Sequence, residues 1–348
     1  MRTLLRRFWK YCSDSAVMST GTHRVLNVSF NEQSCNLNCR VCGFSTDKVR
    51  TMYAEPSAMD RATFETLLSH LPSHRNFWFD ISAIAETLQF RDLAEFIALL
   101  KTRKPNVKTI ISTSGTLLTE RSAEALVSSG LDFVQFSLYA PDAEGYRFIT
   151  QTPFPFAKTL EKLDLLLEKR GTRAQPIIHV FIYDMQDFRV RAKPFPEQYE
   201  SRVDAVYFRP LYDTAGVVEH RLGDAVPRGP RRYPCPTLWY SGAVRSTGEY
   251  LRCYPMHWLD RTHTVGNVRE DNLQGYWNKL DDVRQLHLQG RWDEVPGCKD
   301  CDVWSQAPSF FSRRADGTFF IPRHRVALSM VINGVKRYLK RQRHFVSH

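Results

Sequence analysis

From residue 25 onward, short apolar runs alternate with longer stretches that repeat their apolar positions every three or four residues. Residues 25–30, 77–84, 107–113, 133–138, 176–183 and 205–208 read as six strands, being short and rich in β-branched and aromatic side chains. Between them, 61–71, 93–100, 120–128 and 159–168 read as helices. Asp60 stands at the first N-terminus, and Gly130 and Gly171 close the last two. Strands that alternate with helices predict a parallel α/β sheet.

Beyond the sixth strand the pattern changes. Residues 213–233 are rich in Gly, Pro and charge and read as a linker. Residues 244–251 read as a hairpin turning at Thr247-Gly248. The chain therefore divides into a basic tail over 1–22, a main domain over 23–212, a smaller domain over 213–310 and a basic tail over 311–348. In the last of these, 327–339 carries apolar residues at helical spacing and suits a docked amphipathic helix.

Composition sets limits on this picture. A chain of 348 residues with 43% hydrophobic and 24% charged positions is neither disordered nor fibrous. No apolar run is long enough to span a bilayer, and residues 1–11 lack the apolar core and cleavage site of a secretory signal. The net charge of +11 is concentrated near the two ends. It suits solubilising tails or a weak contact with an anionic surface. No basic–aromatic RNA-binding motif accompanies it.

Eight cysteines in a chain of this length are not a disulfide framework. Cys12 stands alone. Cys35, Cys39 and Cys42 lie four and three positions apart, directly after the first strand. A short loop can fold three such thiolates onto one side of a small inorganic cluster, leaving one iron of a cubane open for substrate. A zinc site takes four ligands, and no fourth Cys or His is close in sequence. Cys235, Cys253, Cys298 and Cys301 form the second group. The hairpin brings two of these together and a Cys-x-x-Cys knuckle supplies two more. Four thiolates close a [4Fe–4S] cluster completely, and the same four suit structural zinc.

The first cysteine spacing resembles that of the radical S-adenosylmethionine (SAM) superfamily. The resemblance implies a partial (β/α)6 TIM-like barrel with its chemistry at the carboxyl ends of the strands. Further matches fall at those ends. Ile84-Ala85-Glu86-Thr87 keeps the acid of the family's Gly-Gly-Glu-Pro turn but neither its glycines nor its proline. Thr113-Ser114-Gly115 is similar to the family's Thr-Asn-Gly turn. Ser137-Leu138-Tyr139 is similar to its Ser-Leu-Asp segment. Val41 replaces the usual aromatic before the third cysteine, with Phe44 as a substitute against adenine. Glu86, Ser114 and Ser137 are then expected to contact SAM. Arg209, at the end of the sixth strand, is expected to bind a carboxylate or phosphate of SAM or substrate, or else to form a structural ion pair.

The second group resembles the auxiliary-cluster domains called SPASM and twitch. The cysteine, the Gly-turn hairpin, Gly266-Asn267-Val268, Trp277 and the closing Cys298-x-x-Cys301 follow the expected order. Only four cysteines follow the barrel, so the shorter twitch form fits, with a spacing similar to the butirosin-pathway twitch dehydrogenase. These resemblances imply two [4Fe–4S] clusters, SAM, a flavodoxin- or ferredoxin-type electron donor and a cytoplasmic setting. They imply reductive cleavage of SAM to a 5′-deoxyadenosyl radical that takes hydrogen from the substrate. The expected outcome is oxidation of an alcohol on a small sugar or cyclitol-like metabolite. Peptide maturation, epimerisation and decarboxylation stand as alternatives within the class. An iron–sulfur scaffold or a nucleic-acid-binding protein is the alternative outside it. No extra N-terminal domain of the size needed for leader-peptide recognition is evident.

Overall fold

The computed structural model describes residues 23–33, 35–73, 77–81, 84–185, 188, 191, 199, 202–209, 211, 232–258, 263–306 and 311–321. The expected N-terminal tail with Cys12, Pro210, the linker apart from Arg232 and Tyr233, and the C-terminal tail beyond residue 321, including the amphipathic segment at 327–339, lie outside these residues.

Six parallel strands follow one another in register: β1 (Val25–Val28), β4 (Trp78–Ile81), β5 (Lys108–Thr113), β6 (Phe133–Tyr139), β7 (Ile177–Tyr183) and β8 (Ala205–Arg209). The short pair β2 (Asn31–Glu32) and β3 (Ser57–Ala58) lies between the first two. The six expected strands are all present. The second is described over Trp78–Ile81.

The outer face of these strands is covered by α2 (Arg61–His70), α3 (Leu93–Arg103), α4 (Glu120–Ser128) and α6 (Phe156–Arg170). Asp60 caps α2 by accepting from Thr63 N at 2.6 Å, as its position foretells. Leu26, Phe79, Ile111, Val134, Val180 and Ile182 point to this side and are fully buried with the helices. The intervening residues Asn27, Asp80, Ile110, Gln135, His179 and Tyr207 point to the other side and are only half-buried. That inner face is curved into a lumen. Asp80 on β4 and Arg209 on β8 lie four strands apart in sheet order, yet each feels the other's charge. Only a sheet closing on itself brings them together.

Two short helices were not expected from the sequence: α1 (Asp47–Met52), and α5 (Ala143–Thr150), which buries Tyr146 and Ile149. Asp142 caps α5 by accepting from Gly145 N at 2.9 Å, with Glu144 in the first turn. The Pro-Asp-Ala-Glu sequence carries that signal.

The hairpin continues the same sheet. Its strands are β9 (Ser241–Val244) and β10 (Glu249–Leu251), followed by β11 (Thr264–Asn267). Strand β9 pairs in parallel with β1, so nine strands run in the order β11-β10-β9-β1-β4-β5-β6-β7-β8. The turn falls at Thr247-Gly248 as expected, but the near strand begins at Ser241. Asn27 on β1 reinforces the joint, donating to Ser241 Oγ at 2.8 Å and Gly242 O at 2.9 Å. Gly242 is required there, because a Cβ would lie 2.7 Å from Cε1 of Tyr276. Tyr276 belongs to α7 (Leu273–Asn278), which precedes α8 (Asp281–Leu288). A small antiparallel pair, β12 (Ser312–Arg313) and β13 (Phe319–Phe320), follows.

Candidate active site and auxiliary cluster pocket

The loop carrying Cys35, Cys39 and Cys42 follows β1 and β2 and rests on the end of α5. The last carbonyls of a helix have no partner within it. Here Asn38 N reaches Thr150 O at 3.2 Å and Arg40 N reaches Ile149 O at 3.0 Å. The guanidinium of Arg40 lies 4.3 Å from the ring centre of Phe148 on the same helix. Tight turns follow, with Cys42 N on Cys39 O at 2.9 Å and Ser45 N on Cys42 O at 2.9 Å. Burial pushes the Cys35 thiol up to about 12, and the Cys39 thiol well above its usual value. Cys39 also feels the charge of both other thiols, and Cys35 feels that of Cys42, so the three are neighbours. Such groups become thiolates only against positive charge, which iron supplies.

Glu86 sits beside this loop, 4% exposed. One carboxylate oxygen accepts from Thr113 Oγ1 and from Leu88 N at 3.2 Å. The other accepts from Ser114 N at 2.8 Å and Ser114 Oγ at 2.6 Å. All four lone-pair sites are filled from within the protein. Ser114 Oγ also meets Thr116 Oγ1 at 2.9 Å, and Thr116 accepts from Asn36 of the cysteine loop at 2.8 Å. Glu86 and Ser114 thus fix the turn after β5 and tie it to the thiols. An incoming ammonium group must exchange with one of these hydroxyls to reach the carboxylate. Gly115 makes the turn possible, with φ +74° and Phe136 so close that a Cβ would collide.

At the end of β6, Ser137 faces the lumen and is 5% exposed. A bulge follows it, and Tyr139 takes φ 68° inside a three-residue turn closed by Ala140 N on Leu138 O at 2.8 Å. A non-glycine residue in that region costs about 1–3 kcal/mol. The turn aims the Tyr139 hydroxyl at the Cys39 sulfur. Tyr139 occupies the position of the family's aspartate. Phe44 is buried against Tyr53 and Ile84 rather than presented to a ligand.

The lumen beyond holds a polar set. The guanidinium of Arg209 lies 5.2 Å from the Phe181 ring centre and shares its surroundings with Asp80, Tyr183, Tyr207 and Tyr254. Tyr139 and Tyr183 stack at 5.9 Å. Burial pushes the Asp80 carboxyl up to about 7, against the pull of Arg209. Sequence reading missed Asp80. Its one signal is a carboxylate at the third position of the otherwise apolar Trp78-Phe79-Asp80-Ile81.

Four further cysteines line one void. Cys235, Cys253, Cys298 and Cys301 surround it together with Thr237, Leu238, Met256, His287 and Trp304. Burial pushes the Cys235 thiol up to about 12 and that of Cys253 well above its usual value. Arg232 grips the Cys298–Cys301 knuckle by donating to Cys298 O and, at 2.8 Å, to Lys299 O. Arg252 donates to Pro296 O at 2.6 Å. Both cations lower the cost of charge at Cys298. Four soft donors around an apolar void, braced by cations, fit a closed anionic cluster.

A buried node connects the two regions. Glu32, Tyr53, Arg245 and His257 are each 0% or 1% exposed. Arg245 donates to the Tyr53 hydroxyl at 2.6 Å and lies 3.5 Å from Glu32, which also accepts from Ser246 N at 3.2 Å. The Tyr53 hydroxyl donates to His257 O at 2.5 Å.

The chain matches the family model of the Radical SAM superfamily over residues 33–188. It matches that of SPASM, an iron–sulfur cluster-binding domain, over residues 235–302. A curated relative, the probable GTP 3′,8-cyclase of Methanocella arvoryzae, is 40% identical over 73 residues. That alignment spans 21% of this chain and 24% of the relative. Among solved structures, BtrN in complex with AdoMet and 2-DOIA is similar at 18% identity, covering 82% of this chain and 94% of that one with a TM-score of 0.57. Native anSMEcpe with bound AdoMet is similar at 13% identity, covering 90% of this chain and 98% of that one with a TM-score of 0.57. At these identities the likeness carries the fold, a partial TIM-like barrel. SAM and iron–sulfur clusters are the cofactors such domains hold, and their substrates are small molecules or peptides. No helix among the described residues is long and apolar enough to cross a membrane. The chain carries a radical SAM domain over residues 33–188 and a SPASM-type auxiliary iron–sulfur cluster domain over residues 235–302.

Proposed function

We propose that this enzyme oxidises an alcohol of a small polar, sugar- or cyclitol-like metabolite. In this reading Cys35, Cys39 and Cys42 hold the barrel cluster, while Cys235, Cys253, Cys298 and Cys301 hold the auxiliary one. Glu86, Ser114 and Ser137 face SAM, and Arg209 faces SAM or substrate. The units run from 23 to 212 and from 213 to 310, with a flavodoxin- or ferredoxin-type donor supplying the priming electron. When bound, these cofactors supply removal of a hydrogen atom from carbon and an acceptor for the second electron.

Asp80 carries the proposal. Oxidising an alcohol to a carbonyl removes a hydrogen atom from carbon, an electron, and the hydroxyl proton. The proton needs a base whose pKa lies near neutrality. Asp80 stands in the lumen with a pKa of about 7, beside the cation of Arg209. Arg209 and the hydroxyls of Tyr183 and Tyr207 offer hydrogen bonds that orient a polyol. Apolar walls such as Phe181 and Trp78 exclude competing hydrogen donors.

The test is comparison of small metabolites in cells with and without the gene, followed by anaerobic assay of whatever accumulates. The expected product is lighter than its substrate by two hydrogens. A product of unchanged mass, or a peptide substrate, overturns the reading.

A further inference from the structure

Helix α8 carries a histidine that none of this chemistry has used. His287 lines the four-cysteine void and is 1% exposed. Its Nδ1 accepts a hydrogen bond from the backbone N–H of Cys235 at 3.2 Å. A ring nitrogen that accepts carries no hydrogen, so the proton of the neutral ring is on Nε2. Nε2 is fully buried and has no hydrogen-bond partner among the described residues. A buried N–H without an acceptor is costly, and such groups are rare in folded proteins. The cysteine N–H both fixes the tautomer and orients the ring.

We infer that His287 Nε2–H donates a hydrogen bond to a sulfur of the auxiliary cluster and thereby raises its reduction potential. Sulfur is the acceptor this site would provide, since four thiolates and their inorganic sulfides fill the void that the ring borders. A hydrogen bond to sulfur stabilises the more negative, reduced state more than the oxidised one. The bond therefore shifts the cluster toward accepting an electron. His287 is a positioning residue, because it touches neither substrate nor the reacting carbon. The inference rests on reading the four cysteines as cluster ligands.

The experiment uses full-length protein with Cys35, Cys39 and Cys42 replaced by Ala, so that only the auxiliary site can hold iron. His287→Asn keeps an acceptor near the Nδ1 position for Cys235 N–H but removes the Nε2 donor. His287→Gln returns an N–H near the Nε2 position. Potentiometric titration followed by electron paramagnetic resonance should show a lower midpoint for the Asn variant. A tenfold fall in the reduced-to-oxidised ratio is expected, about 59 mV for one electron. The Gln variant should stay near the parent. A parent-like midpoint for His287→Asn, or equal falls for Asn and Gln, overturns the inference. Should either variant fail to assemble the cluster, protein with unsubstituted His287 and ¹⁵N-labelled histidine decides. The reduced cluster should show a histidine nitrogen coupling and an exchangeable proton coupling, and absence of both refutes the bond. Zinc in place of iron, seen by metal analysis, would instead refute the ligand reading itself.

Discussion

Replacing Asp80 by Asn probes the lumen directly. The folded carboxyl holds its proton more tightly than the unfolded one, with a pKa raised from 3.8 to about 7 by burial. Below pH 4 both states are protonated and the group contributes nothing. Between pH 4 and 7 the unfolded chain ionises while the native chain keeps its proton, so stability falls as pH rises. Above 7 the cost is fully present and flat. At 1.36 kcal/mol per unit the ceiling is about 4 kcal/mol. Asp80 is only half-buried, so lumen water screens it and the measured cost lies below that ceiling. With the folded pKa at about 7, roughly half of the ceiling falls between pH 5.5 and 8. Anaerobic urea unfolding should therefore show Asp80→Asn gaining up to about 2 kcal/mol on the native protein across that window. Arg209→Leu removes the opposing charge and should move the Asp80 titration higher still. In turnover, Asp80→Asn should retain SAM cleavage and lose product. Isotope-edited infrared spectroscopy reads the carboxyl itself. An Asp80 already ionised at pH 5.5, or a stability gap independent of pH, would refute the reasoning.

Three further outcomes follow from the site. Glu86→Gln sets an amide donor against Ser114 N–H or Ser114 Oγ, costing about 1–3 kcal/mol locally. SAM affinity measured by calorimetry should fall by tenfold or more, and an unchanged Kd counts against Glu86 as organiser of the turn. Arg245→Met leaves Glu32 charged and buried and should cost about 3–5 kcal/mol. Adding Glu32→Gln should recover most of that loss in urea midpoints, and a double variant worse than the single one contradicts the pairing. Gly242→Val drives a side chain into Tyr276 and should part the hairpin from β1. Iron would then fall from about eight to about four per chain on the two-cluster count, with SAM cleavage retained. Full iron retention speaks against that packing.

Five of the six parallel strands were legible because each buries one face, and that burial writes an apolar run into the sequence; β8, half-buried or exposed throughout, was legible only from its short apolar and aromatic run. The cysteine groups were legible because ligand spacing is a local property. Strand β9 was not, since Ser241, Gly242 and Ala243 give no apolar signal. They are small because Tyr276 presses on them, a contact formed by residues more than thirty positions away. Helix α5 is short, and its task is to offer carbonyls to the cysteine loop rather than a long apolar face. Asp80 was invisible for a different reason. Its chemistry arises only when β4 and β8 curl toward each other, and no window of sequence contains both. Glu86 was legible as an acid at a strand end, but not as a carboxylate already saturated by Thr113 and Ser114.

The joint between β1 and β9 has a mechanical consequence. Four consecutive residue pairs, from Val25 with Ser241 to Val28 with Val244, lock the strand that launches the first cysteine loop to the strand that leads to Cys253. A strand cannot creep along its neighbour by a fraction of a step, because one residue of slip reverses every side chain. The two thiol groups are therefore mounted on one beam, with no hinge between β1 and β9. Whatever electron passes between them crosses a gap set at folding, so its timing falls to chemistry in the lumen and not to the opening or closing of this joint. Amides of the joint, such as Ser29 N on Val244 O, should accordingly exchange with solvent only on global unfolding.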